Sequence, residues 1–204
     1  MSAELTRLMS LGCEISARKK KPKKVRICFT GDRFTGRSTL ATRFSEMQAG
    51  FYDRDYRIVR KNRHQMQIDV TRRYGVPKTG EIILTIHIEP PPSQETQERY
   101  PFWMISSIIK LIVFCFDVNR PRTFINVPAR LSQYRELLGN KMPPTIMVGN
   151  KIDIRSKKSL HVVTKHEGKR SAKELKIKRY VECSAWKKTN VDDLLDLILT
   201  MAKF

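Results

Sequence analysis

A chain of 204 residues is long enough for one α/β domain with a proper core and too short for two ordinary domains plus a linker. Its 40 Lys and Arg against 20 Asp and Glu give +20 and a pI near 10.1; this favours polyanionic partners (nucleic acid, an anionic leaflet or an acidic protein face) without choosing among them. The longest dense apolar run, "ISSIIKLIVFCF" from Ile105 to Phe116, is broken by Lys110 and two serines, which excludes a membrane span there.

In chain order, residues 1–24 read as a basic flexible arm ending in "RKKKPKK" (Arg18 to Lys24), where Pro22 forbids a continuous helix and like charges repel. Residues 25–204 read as the folded domain. "VRICFTG" is a β-rich run leading into "GDRFTGRST", Gly31 to Thr39, which has the G-x-x-x-x-G-K-[ST] spacing of a phosphate-binding loop with Arg37 in place of lysine. "RSTLATRFSEM" suits a helix starting at that loop, so strand, glycine loop and helix follow in the order the motif requires. The region Tyr52 to Arg73 is polar and basic. Glu81 to Glu89 and Leu111 to Val118 read as strands, the second fully buried and parallel.

"RTFINVPARLSQYRELLG" predicts a helix ending at Gly139, with Pro128 near its first turn or kinking it. Strand "PTIMVGN", helix "VVTKHEGKRSAKELK", strand "RYVECSA" and closing helix "VDDLLDLILTMAKF" complete the chain. The alternation predicts an α/β P-loop NTPase fold, a mainly parallel sheet with helices on both faces. Cys13, Cys28, Cys115 and Cys183 are scattered, form no C-x-x-C pair, and fit reduced thiols in a cytosolic chain; no secretory leader is expected.

Two further signals stand at the C-terminal ends of predicted strands, where ligands of open α/β sheets collect. They are "GNKID" (Gly149 to Asp153) and "ECSA" (Glu182 to Ala185). With the glycine loop, in this order and separation, they resemble the small GTPases of the Ras superfamily over about Val25 to Phe204. "VFCFDVNRPRTFINV" adds to the resemblance, and "VTKHEGKRSAKELKIKRYVECSA" leans towards Rho. The extra helix usual in Rho proteins has no room after "NKID", which leaves the subfamily open.

The resemblance implies GTP or GDP and Mg²⁺ as ligands. Gly31, Asp32, Arg33, Phe34, Thr35, Gly36, Arg37, Ser38 and Thr39 would bind the phosphates, with backbone N–H groups from about Arg33 to Ser38 surrounding the β-phosphate, helped by the positive end of the next helix. Ser38 would place its hydroxyl on the metal, and Arg37 would stand where a lysine bridges the outer phosphates, a demanding exchange because guanidinium is long and planar. Asp153 would accept two guanine N–H bonds and Asn150 would tie the loops together. The stem of Lys151 would lie over the base, Ser184 and Ala185 would offer a backbone N–H to the guanine oxygen, and Phe51 would pack on the base edge. Read as residues alone, each motif could also be a turn kept only for its backbone shape.

The departures from the family concern hydrolysis. No threonine occurs from Arg43 to Val70, so the first-switch threonine is missing. The second switch, D-T-A-G-Q in the family, reads "EPPPSQE" from Glu89 to Glu95, and Pro92 has no N–H to offer the γ-phosphate. Slow or absent hydrolysis is therefore expected, with nucleotide-free interaction module and nucleic-acid-binding protein as the alternatives.

Between Asn150 and Arg179, eleven basic residues face three acidic ones, and "RDYRIVRKNR" adds five more. Protein effectors, and an anionic membrane surface or nucleic acid, are the expected partners. The ending "MAKF" and Ser2 match no lipidation motif, so no lipid anchor is expected. The expected location is cytoplasmic, with nuclear or peripheral membrane association as alternatives.

Overall fold

A computed structural model describes residues 23–46, 54–61, 65–72, 81–89, 108–155 and 161–202. Strand β1, Lys23–Thr30, starts two residues before the sequence-based domain boundary, and Lys23 and Lys24 pair with Ile82 and Ile83. Helix α1, Arg37–Glu46, follows the glycine loop. Next come β2 (Arg54–Lys61), β3 (Gln65–Arg72), β4 (Glu81–Ile88), β5 (Ile109–Asp117) and helix α2 (Pro121–Leu138). β6 (Thr145–Asn150), α3 (Lys165–Glu174), β7 (Arg179–Glu182) and α4 (Val191–Met201) complete the order.

The sheet runs β2-β3-β4-β1-β5-β6-β7. β4, β1, β5, β6 and β7 are parallel to one another, whereas β2 and β3 form an antiparallel hairpin added to the β4 edge. That hairpin lies in the stretch the composition shows only as polar and basic. Its alternation, Ile58, Ile68 and Val70 among Arg, Asp and Gln, is a period-2 pattern hidden by the charge.

Period 2 also divides the core. On β5, Leu111, Val113 and Cys115 face a layer that includes Leu40 and Phe44 of α1 and Leu194, Leu195 and Ile198 of α4. Ile112, Phe114 and Phe116 face the opposite layer, with Val127, Leu131 and Tyr134 of α2 and Ala172 of α3. The expected mainly parallel sheet with helices on both faces is thus the observed one. α2 buries Thr123, Val127, Leu131, Tyr134 and Leu138, a helical stripe that holds through Pro128 even though proline offers no N–H to the preceding turn. Gly139 ends it at φ +49°, donating its N–H to Arg135.

Because β1 has β4 on one side and β5 on the other, the chain leaves it in opposite directions and a crevice opens at the C-terminal strand ends. Among the described residues no helix is long and apolar enough to cross a membrane.

Candidate functional site

The loop after β1 needs both of its glycines. Gly31 has φ +142°, and a Cβ there would lie 2.1 Å from the Cys115 carbonyl oxygen of β5. Gly36 has φ +87°, and its Cβ would lie 2.3 Å from Asn150 Nδ2. The loop is therefore pressed against β5 at one end and against β6 at the other. Between them Thr35 is buried and donates its hydroxyl to the Asp32 carbonyl at 2.9 Å. Phe34 takes φ +65° and is 75% exposed.

Asn150 joins three loops. Its Nδ2 donates to the Thr35 carbonyl at 2.9 Å, while its Oδ1 accepts from the backbone N–H of Lys151 at 2.8 Å and of Ala185 at 3.0 Å. Lys151, at φ +66°, sends its ammonium to the buried Asp117 carboxylate at 2.8 Å, and its Cε passes 4.0 Å from the position of a Gly36 Cβ. Asn119 holds this turn from the β5 side, donating Nδ2 to the Lys151 carbonyl at 2.9 Å.

Asp153 is exposed and accepts the Ser184 hydroxyl on Oδ1 at 2.5 Å, which links the "NKID" and "ECSA" loops. The N–H of Ser184 goes to the Thr189 carbonyl, and that of Ala185 is shared with Asn150, so a guanine oxygen at this turn would share the latter proton. Trp186, next in the chain, is 69% exposed. Phe51 lies outside the described residues.

Two supports of this side carry no sequence signal. Arg43 of α1 donates Nε to the Ala185 carbonyl at 2.8 Å. Arg155 grips Glu182 with two bonds of 2.9 and 2.7 Å, and Tyr180 adds its hydroxyl at 2.7 Å. Burial works against the Glu182 charge, but the bonds from Arg155 and Tyr180 outweigh it and hold the carboxyl below its ordinary pKa.

The phosphate side is arranged differently. Arg37 is 8% exposed and donates Nη1 to the carbonyl of Glu89, at the end of β4, at 2.6 Å. Burial lowers its pKa from the ordinary arginine value. Arg130 of α2 binds Asp32 Oδ1 at 2.9 Å through Nη2 and approaches Glu89 Oε2 at 3.4 Å through Nη1. Asn126, one turn earlier, donates to Asp32 Oδ2 at 2.6 Å, and Thr30 donates its hydroxyl to Glu89 Oε2. Asn126 and Arg130, four apart on one helix face, thus bind the loop; sequence reasoning missed both.

Two cofactors can be weighed against these residues. On the base side, the Asp153 carboxylate, the Lys151 stem and the Ala185 turn suit a guanine ring. On the phosphate side, Ser38 is exposed in the first turn of α1, but Glu89, which stands where the family's second switch has its aspartate, already takes Thr30 and Arg130 on Oε2. Among the described residues, the base side suits a guanine ring and the phosphate side does not fit the metal.

A family model described as "Ras: Ras family" matches residues 26–203. The chain is 25% identical over 178 residues to the Ras-like GTP-binding protein RhoL of Drosophila melanogaster, covering 87% of this chain and 86% of that protein. It is 28% identical over 180 residues to the Rho-related GTP-binding protein RhoD of Homo sapiens, covering 83% of this chain and 78% of that one.

Proposed function

The chain belongs to the Ras family, and from that premise we propose that it is a GTP- and GDP-binding signalling or scaffold protein with slow or absent intrinsic hydrolysis. Ras-family GTPases in general bind guanine nucleotides, with Mg²⁺, and protein effectors. The observation that carries the reading here is the Asn150 junction, which brings the glycine loop, "NKID" and the Ala185 turn into one crevice through bonds of 2.8 to 3.0 Å. A turn kept only for its shape has no need of that three-way tie.

Slow hydrolysis follows from what is missing around the γ-phosphate. The first switch has no threonine, Pro92 replaces the glycine N–H, and Arg37 is engaged with the Glu89 carbonyl. Transition-state charge is then poorly stabilised, and single-turnover assays should give no more than the slow intrinsic rate of the class, on the order of 10⁻⁴ per second. A rate tens of times higher would mean that another residue supplies the catalysis.

Nucleotide identity is tested at Asp153. With Asp153→Asn, an amide donor faces the guanine donors and at least one group is left unpaired, so GTP affinity should fall at least about tenfold. Xanthine presents a carbonyl where guanine has its amine, so xanthosine triphosphate should gain affinity in the same variant. General destabilisation would weaken both ligands alike. Unchanged GTP binding would sink the proposal and favour the nucleotide-free interaction module, the reading that the engaged Arg37 supports.

A further inference from the structure

The two carboxylates beside the glycine loop share one counter-charge. Asp32 and Glu89 are 98 and 41 residues from Arg130 in sequence, yet both meet its guanidinium, and their side chains are only 21% and 26% exposed against 15% for Arg130. Partly buried, charge-assisted bonds of this kind hold better than a surface pair. Thr30 donates its hydroxyl to the same Glu89 oxygen that Arg130 approaches, and Arg37 donates to the carbonyl of that residue.

We infer that this chain holds guanine nucleotide without a divalent cation, Arg130 standing as a built-in counter-charge between Asp32 and Glu89. The inference rests on the nucleotide-binding reading above. A cation approaching Glu89 must displace Arg130 or settle beside a like charge. No cation is needed to make the region attractive to phosphate. The guanidiniums of Arg37 and Arg130 stand beside the two carboxylates, Arg33 adds an exposed basic residue in the same loop, and the N–H groups at the start of α1 add the positive end of a helix.

The experiment titrates full-length, nucleotide-stripped protein with GDP by calorimetry, once with Mg²⁺ and once with excess EDTA. The two dissociation constants should agree within about threefold. A constant tighter by about tenfold or more in Mg²⁺ overturns the inference and leaves the nucleotide-binding reading standing. No binding in either buffer refutes that reading and this inference with it.

Arg130→Met keeps most of the volume and removes the charge. It should bind about tenfold more weakly than wild type in EDTA and recover when Mg²⁺ is added, because Glu89 is released. Arg130→Lys, which keeps the charge, should stay indifferent to the metal. A methionine variant as indifferent to Mg²⁺ as wild type would remove Arg130 from the account, and if that variant does not fold, the wild-type and lysine titrations still decide.

Discussion

Phe34 stands in the glycine loop with a left-handed backbone and an exposed ring. The αL conformation costs an ordinary residue about 1–2 kcal/mol, while glycine adds about 0.5–1 kcal/mol of unfolded-chain entropy. Phe34→Gly removes the first and incurs the second, so it should stabilise the fold by up to about 1.5 kcal/mol. Urea melts with matched slopes measure this directly, and a loss of stability would show that the ring is held by a contact beyond the described residues. Other residues of the site differ in how far the sequence discloses them. Asn150, Lys151 and Asp153 are legible because they sit together in one short motif at a strand end. Arg130 is not, because its partners are set by how α2 crosses the sheet and no local pattern encodes that distance.

Among the elements, α3 is fixed to β7 through Gly168. An alanine in a helix interior is ordinarily better than glycine by about 0.5–1 kcal/mol, but a Cβ at Gly168 would lie 2.2 Å from the Tyr180 ring. That ring cannot yield freely. It stacks on Phe116 at 6.2 Å and its hydroxyl is bound to Glu182. Overpacking of this kind costs about 1–3 kcal/mol, so Gly168→Ala should lower the melting temperature; a rise would mean that Tyr180 can move aside. The start of α3 lies three residues beyond the first valine of the predicted helix, behind the capping box that Thr164 and Glu167 form in "TKHE", a local signal that the reading from Val162 passed over. The strand alternation and the closing helix were readable, because their apolar periods are strong. The β2–β3 hairpin was not read, since its charged residues mask a short period-2 signal that gains its meaning only from pairing with β4.

For the whole molecule, charge dominates. Of the basic residues between Asn150 and Arg179, Lys151 and Arg155 are bound to acidic side chains within the protein, while the seven from Lys165 to Arg179 are exposed. We propose that this surface and the basic residues of 1–22 engage an anionic partner, so binding to acidic vesicles or to nucleic acid should weaken steeply as salt rises. Deleting residues 1–22, which leaves β1 whole, should reduce the slope of that dependence. Tight binding indifferent to salt would instead indicate a shaped pocket. The molecule's assembly has an order as well, and Asn150 sets it. Its bonds to Thr35 and Ala185 span 115 and 35 residues, so they close large chain loops that become favourable only once β6 has joined the sheet. A chain that has not yet delivered β6 and the Ala185 turn therefore lacks the Asn150 tie between the two halves of the crevice, while the glycine loop keeps its contacts with β5 and with Asn126 and Arg130 of α2.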